Sequence, residues 1–110
     1  MNKSDIFDSK LKELSRLSKV VSHPARLSIL QFLAETKSCI TGDISDFLPL
    51  SRTTVSQHLK ELKKAGFIHG EIDGLKVNYC ICHDELARFT QLHHDFFQPL
   101  LSSEIHCNTN

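Results

Sequence analysis

Side chains that can recognise nucleic acid are concentrated between Ser51 and Lys60. This segment contains one arginine, one glutamine, one histidine, one lysine and four short hydroxyl residues. Arginine can form two hydrogen bonds with guanine, glutamine can do the same with adenine, and serine or threonine can bond a base or a phosphate. The residues that suit such contacts are Arg52, Thr53, Ser56, Gln57 and Lys60. The pattern favours DNA recognition, although a polar surface helix without this role would share many of these residues.

The side chains that could contact DNA lie on one predicted helix, and the sequence indicates where this helix begins and ends. Ser51 can accept a hydrogen bond from the free amides of the first turn, and Gly66 can adopt the left-handed conformation that stops a helix. Lys63 and Lys64 suit the negative carboxyl end. Apolar residues recur four and three positions apart on one side, at Val55, Leu59 and Leu62. The sequence therefore predicts a recognition helix over 52–65 that buries this side and exposes the polar residues.

A β-hairpin is predicted directly after the recognition helix. Two β-prone runs, 67–72 and 76–81, flank Asp73-Gly74, which is a strong signal for a tight turn. A helix followed by a two-stranded ribbon is the order of a winged helix-turn-helix, in which the ribbon, or wing, lies along the phosphate backbone. Lys76, near the tip of this wing, is a predicted phosphate contact.

A shorter helix and a turn are predicted before the recognition helix. Ser38 to Ile40 could form a strand, Thr41 can cap a brief helix over 42–48, and Pro49 ends that helix. Residues 41–66 then form a helix-turn-helix, in which the second helix enters the major groove. An unrelated pair of packed helices is the alternative, and the wing that follows argues against it.

Amphipathic helices are predicted at both ends of the chain. Apolar residues recur at helical spacing over 6–21, and Pro24 suits the first turn of a second helix that belongs to the core. The last helix, about 84–98, carries an aromatic stripe, and Pro99 should end or kink it. The stripe consists of Leu86, Phe89, His93, Phe96 and Leu100, with Phe97 alongside. His93 and His94 could be ligands or a proton switch, although such histidines are more often structural.

Length and composition predict one small domain. A chain of 110 residues that is 40% hydrophobic can build only a modest core. Residues 1–107 are therefore assigned to a single, mainly α winged helix-turn-helix domain with its wing at 67–82, and residues 108–110 to a disordered tail. The apolar stripes within 1–21 and 84–101 exceed what such a core can cover. This excess predicts a homodimer held by the first and last helices.

The charge is balanced overall but unevenly distributed. The 13 basic and 13 acidic residues give no net charge, so the basic excess of many nucleic-acid-binding proteins is absent. Residues 77–110 carry one basic residue, Arg88, against four acidic ones, which leaves the recognition helix locally positive. The neutral total also supports an alternative function, a dimerisation or protein-interaction module without an effector site.

Neither a membrane span nor a signal peptide is indicated, so we expect a cytoplasmic protein. In a reducing cytosol the four cysteines should be free thiols rather than a disulfide framework. An enzyme is not indicated, because the adjacent pair Cys82-His83 lacks a third orienting group and would point in opposite directions on a strand.

The chain resembles the ArsR/SmtB family of transcriptional regulators. The resemblance rests on His23-Pro24-Ala25-Arg26-Leu27-Ser28-Ile29-Leu30, on residues 51–66 with Val55-Ser56-Gln57-His58-Leu59 at their centre, and on the Asp73-Gly74 wing. It implies a homodimer that binds double-stranded operator DNA, typically as a repressor, and releases it when an effector binds. The DNA-facing residues that the resemblance implies are Arg52, Thr53, Thr54, Ser56, Gln57, His58 and Lys60. Lys63 and Lys76 are added to this set as predicted phosphate contacts.

The metal sites of this family are not matched. The family's metal box reads Glu-Leu-Cys-Val-Cys-Asp-Leu, and its two thiol positions correspond to Ile40 and Gly42. A second family site, on the last helix, would need ligands at 84, 86, 97 and 100, which here are Asp84, Leu86, Phe97 and Leu100. Any metal effector would therefore need a different set of ligands.

The cysteines offer another effector site. Strand alternation places Cys80 and Cys82 on one face of the second wing strand. In this family the strand before the helix-turn-helix pairs with the base of the wing, which would bring Cys39 towards them. Such thiols suit a thiophilic metal or metalloid ion, a disulfide or a persulfide, and Cys107 or a histidine could join. The alternative is that they are small buried hydrophobes in a reducing cytosol.

Overall fold

Four helices and three short strands form the part of the chain that is described, residues 6–36, 40–41, 48–71 and 78–103 of a computed structural model. The helices are α1 (Ser9–Val21), α2 (Pro24–Thr36), α3 (Arg52–Lys64) and α4 (His83–Ser102). The strands are β1 (Ile40–Thr41), β2 (Ile68–Glu71) and β3 (Asn78–Ile81). The short helix predicted over 42–48 lies almost entirely outside the described residues.

The strands form one antiparallel sheet in the order β1-β3-β2. Pairing of β2 with β3 confirms the two arms of the predicted wing, whereas Asp73, Gly74 and Lys76 lie outside the described residues. Ile40 is opposite Tyr79, which confirms that the strand before the helix-turn-helix pairs with the second wing strand. The sheet therefore joins the entry of the helix-turn-helix to the wing.

A close approach of the two wing strands requires glycine at position 70. The φ angle of Gly70 is 128°, a conformation that other residues rarely adopt. A side chain there would collide with the carbonyl oxygen of Asn78 and would lie 2.8 Å from the Cα atom of Tyr79. The missing side chain is thus a condition for pairing β2 with β3.

The core lies where α3 packs against α2 and the sheet. The predicted apolar side of α3 is buried, since Val55, Leu59 and Leu62 belong to the main core cluster. Other elements contribute fully buried side chains to the same cluster, among them Leu17, Ile29, Phe67, Ile68 and Tyr79. Burial of this stripe fixes the rotation of α3 about its own axis, so its opposite side must face outward.

Local hydrogen bonds define both ends of α3. The Ser51 hydroxyl accepts a bond of 3.2 Å from the Thr54 amide, as an N-cap residue does. At the other end Gly66 has a φ of 88°, and the Phe67 amide donates to the Leu62 carbonyl at 3.0 Å. The Gly66 amide donates to Lys63 at 2.9 Å, which completes the paired hydrogen bonds of a glycine-ended helix. Both predicted ends of the recognition helix are confirmed.

The last helix continues past its proline. Pro99 lies inside α4, which extends to Ser102, so of the two alternatives for this residue the end of the helix near residue 98 is wrong, and a kink stays a prediction. Proline removes one backbone donor, but the Ser102 hydroxyl donates back to the Gln98 carbonyl at 3.1 Å and supports the final turn. At the opposite end of the chain, α1 begins at Ser9 rather than near Ile6, because Asp8 caps it by accepting from the Lys10 amide.

Candidate nucleic-acid interface

The outward side of α3 carries most of the predicted DNA contacts. The residues predicted for this surface that are exposed are Arg52, Thr53, Gln57, Lys60 and Lys63, and Ser56 is partly exposed. Thr53, Gln57 and Lys60 are spaced four and three apart, so they share the side opposite the buried stripe. This arrangement presents an amide, a hydroxyl and a cation on one rigid helix.

Thr54 has a structural contact as well as its predicted role. Its hydroxyl accepts a bond of 2.9 Å from the Ser51 hydroxyl, and its amide donates to the same oxygen. Ser51 and Thr54 therefore fix the amino terminus of α3, the end that attracts a phosphate. The Thr54 side chain is partly buried and already hydrogen-bonded to Ser51. Its predicted contact with DNA stays a prediction.

The structure places His58 on the flank of α3 rather than on its outward side. The Arg26 Nε donates to His58 Nδ1 at 3.1 Å, and the imidazole packs against His23 with ring centroids 4.4 Å apart. Arg26 also donates from Nη1 to the Val20 carbonyl at 3.0 Å. His58 therefore joins α3 to the junction of α1 and α2. That His58 contacts DNA stays a prediction, and the structure gives this residue a second role in packing.

The environment of His58 favours its neutral form. Burial lowers the pKa of His58, and the nearby positive charges of His23 and Arg26 lower it further. Folding therefore favours the neutral ring, which Nδ1 needs in order to accept from Arg26. The associated stability is present above the ordinary histidine pKa of about 6.5 and is lost as the pH falls through the lowered value.

We expect the thermal unfolding midpoint to decrease between about pH 7.5 and pH 5.5, and His58→Asn to make this decrease smaller. Asparagine can accept from Arg26 and does not titrate. His94→Asn is the matched control, because His94 is exposed on α4 and should leave the pH dependence unchanged. An equal pH dependence in wild type and His58→Asn would contradict the assignment.

An apolar surface lies at one end of the molecule, where the start of α1 meets the carboxyl half of α4. Leu11 and Phe96 line one groove of about 320 Å³ between these helices. Arg88 of α4 donates to Glu13 of α1 at 2.8 Å and fixes the two helices together. The exposed apolar residues of this surface are Ile6, Phe7, Leu11, Phe96, Phe97, Leu100 and Leu101. Exposed apolar side chains in this number are typical of a protein interface.

The two wing cysteines are in different states. Cys80 of β3 is disulfide-bonded, so the expectation of four free thiols is wrong for this residue. Cys82 is a free, partly buried thiol that occupies the N-cap position of α4, just after β3. Its amide donates to the Phe67 carbonyl at 2.9 Å and so extends the pairing of the wing strands. Cys39 and Cys107 lie outside the described residues.

The described residues contain no group of three or more histidine, cysteine, aspartate or glutamate side chains placed to hold a metal ion. In the same ranges, no helix has the length and apolarity that crossing a bilayer requires.

Comparison with known proteins identifies the family. Residues 21–71 match the helix-turn-helix domain family. The chain is 34% identical over 83 residues to MJ1325 of Methanocaldococcus jannaschii, an HTH-type transcriptional regulator, in an alignment covering 76% of this chain and 93% of that one. It is 35% identical over 77 residues to the HTH-type transcriptional repressor SmtB of Mycobacterium tuberculosis. The chain belongs to the ArsR/SmtB family of transcriptional regulators.

The solved structures agree with the observed fold. One similar structure is the homodimeric winged helix-turn-helix DNA-binding domain Mb0332 from Mycobacterium bovis, with a TM-score of 0.56, 21% identity and coverage of 97% of each chain. That likeness supports the winged-helix fold. The SmtB alignment covers 70% of this chain but 56% of SmtB, so this chain spans little more than half of that relative.

Family membership settles the class of function. ArsR/SmtB proteins are DNA-binding transcriptional regulators, so the prediction that the chain is not an enzyme is confirmed. It also favours regulation over the alternative of a dimerisation module without DNA binding. Which of the α3 side chains contact DNA stays a prediction.

Proposed function

We propose that this chain is a homodimeric repressor that binds an operator through the outward side of α3 and is released when its wing thiols react. The observation that carries the proposal is the division of α3 into two sides. One side is buried in the core, and the other presents Arg52, Gln57 and Lys60 to solvent or a ligand. Such a helix can enter a major groove without unpacking the domain.

The apolar surface of α1 and α4 supports a homodimer. Phe7 is 55% exposed and Leu100 is 57% exposed, which is costly for an isolated small domain. A two-fold axis through this surface would bury both copies and give two recognition helices. Their half-sites on DNA should lie about 34–36 Å apart, or a multiple of that distance. The operator should accordingly be a pseudo-palindrome.

We propose thiol chemistry at the wing as the effector mechanism, with the pairing of the strands as its support. Ile40, the residue after Cys39, pairs with Tyr79, the residue before Cys80. We propose that Cys39 is the partner of Cys80, with Cys82 as an adjacent thiol. A bond between Cys39 and Cys80 would connect the strand that leads into the helix-turn-helix with the wing. Oxidation would therefore change the position of the wing relative to α3 and lower DNA affinity.

The repressor proposal is tested by DNA binding of the reduced dimer. Fluorescence anisotropy should show tight, salt-dependent binding to the region upstream of the gene that encodes the chain, compared with a random duplex of the same length. The specific site should be bound about 10³-fold or more tightly than the random one. Equal affinity for both duplexes would contradict sequence-specific regulation. A reporter gene placed under that region should be expressed more strongly when the repressor is absent.

The thiol proposal predicts oxidative release from DNA. Diamide, a two-electron thiol oxidant, takes two electrons and two protons from a thiol pair and leaves a disulfide. It should release wild-type protein from the operator, whereas the Cys80→Ser, Cys82→Ser double variant should stay bound. Cys107→Ser is the control for the remaining thiol. Equal release of wild type and double variant would leave these cysteines with only a packing role.

A further inference from the structure

A positively charged groove lies beside the recognition helix. It has a volume of about 550 Å³ and is formed by the carboxyl end of α1, the start of α2 and the last turns of α3. The ionisable side chains that line it are Arg16, Lys19, His23, Arg26, Lys64 and a single acid, Glu61. Cations from three separate elements thus converge on one open groove.

Most of this charge is not neutralised by the protein. Within the described residues, the side chains of Lys19 and Lys64 make no ion pair or hydrogen bond. Arg26 donates only to the Val20 carbonyl and the His58 ring, both of which are uncharged acceptors. Arg16 is the exception, since it pairs with Glu13 at 2.7 Å. The groove therefore has the electrostatic character of an anion-binding surface.

The groove is continuous with the outward side of α3. Lys64 follows Lys60 by four residues and Gln57 by seven, so all three lie along the same side of the helix. On the flank, His58 contacts both His23 and Arg26 and holds the start of α2 against α3. A duplex that contacts Gln57 and Lys60 therefore has a charged surface immediately beside it.

We propose that this groove binds the sugar-phosphate backbone of the same DNA duplex that the outward side of α3 recognises. This inference rests on the proposed function. The groove is open along one side, as an extended polyanion requires, and it joins the surface already assigned to DNA. Lys19 and Lys64 contact phosphates, while Arg26 contributes its charge and positions the start of α2. These contacts add affinity for any sequence and no base preference.

The salt dependence of binding tests this proposal. Removing one cation that contacts a phosphate should reduce the slope of log affinity against log salt by about 0.9. The Lys19→Gln, Lys64→Gln double variant removes two cations per protomer, so the slope for the dimer should decrease by about 3 to 4. Operator and random duplex should weaken by the same factor, because neither residue contacts a base. Ethylation of the phosphates beside the groove should interfere with binding by wild type but not by the double variant.

Two single variants complete the design. Lys12→Gln is the control for the type of substitution, because it removes one lysine charge from an exposed position on α1 outside the groove. It should keep the wild-type slope. Glu61→Gln removes the acid from the groove and should strengthen binding to both duplexes. Sedimentation of each variant checks that the dimer is intact.

An unchanged slope in the double variant, together with sequence-specific binding by wild type, would overturn the groove proposal and leave the repressor proposal standing. Failure of wild type to distinguish the operator from random DNA would instead contradict the repressor proposal. A third result would also overturn the inference. If inorganic pyrophosphate raised the unfolding temperature of wild type but not of the double variant, while the slope stayed unchanged, the groove would be a site for a small anion.

Discussion

Replacing Phe96 with glutamate is expected to convert the dimer into monomers and to weaken operator binding by about 10²- to 10⁴-fold. Phe96 is 39% exposed at the apolar surface and lines the groove between α1 and α4 together with Leu11. A carboxylate at this position would have to be buried unpaired if the interface formed. Monomers lack the advantage that two linked half-sites give, which accounts for the size of the effect.

The structure identifies Phe96 as a better test of dimerisation than Phe89. Although both belong to the predicted stripe, the Phe89 ring packs edge-on against the buried Phe67 with centroids 5.6 Å apart. A charge at Phe89 would therefore unfold the domain as well as separate the subunits. Sedimentation equilibrium and operator titration of Phe96→Glu give the test, with His94→Glu as a control at another exposed position of α4. A Phe96→Glu protein that remained dimeric would contradict the interface, and so would a monomeric wild type at micromolar concentration.

The Arg52→Ala, Gln57→Ala double variant is expected to lose most of its preference for the operator. Each good base contact contributes about 1–3 kcal/mol of discrimination, so the pair should contribute about 2–6 kcal/mol per half-site if the effects add. Binding to random DNA should decrease much less. The measurement is the ratio of operator to random-duplex affinity at one fixed salt concentration.

A lysine variant separates base recognition from backbone contact. Lys63→Gln should weaken operator and random duplex alike and reduce the salt dependence, as expected for a phosphate contact. Because Gln57 and Lys63 are exposed, neither of these two changes should alter the free energy of unfolding by more than about 0.5 kcal/mol. An intact operator preference in the double variant would show that another surface recognises the bases.

The features that can be predicted from the sequence are those set by local interactions. The ends of α3 depend on Ser51 and Gly66, which bond within three to five residues of themselves, so short sequence signals are sufficient. The same holds for the buried stripe, whose helical spacing is visible in the chain. The pairing of Ile40 with Tyr79 is not local, and only the family resemblance predicts it.

The features that the sequence does not predict depend on contacts between distant residues. His58 bonds Arg26, which is 32 residues away, and local periodicity cannot show such a contact. The motif His23-Pro24-Ala25-Arg26 marks the family without indicating this bond. A disulfide at the wing cysteines is one of several possibilities that the sequence leaves open, and the expected compartment argues for free thiols instead, so the bonded state of Cys80 does not follow from the sequence. Of the two alternatives for Pro99, the end of the helix is wrong, because helix propensity alone ignores the hydrogen bonds of the last turn.

The separation of α3 into a buried and an outward side has a consequence for how operators diverge. Val55, Leu59 and Leu62 hold the helix in the core, and none of them lies on the outward side. Substitutions at Thr53 and Gln57 can then change the preferred base sequence while the melting temperature stays nearly constant. After a gene duplication, one copy can therefore acquire a new operator through a series of folded intermediates. The other copy keeps its original operator, so each of the two repressors then binds only its own target genes.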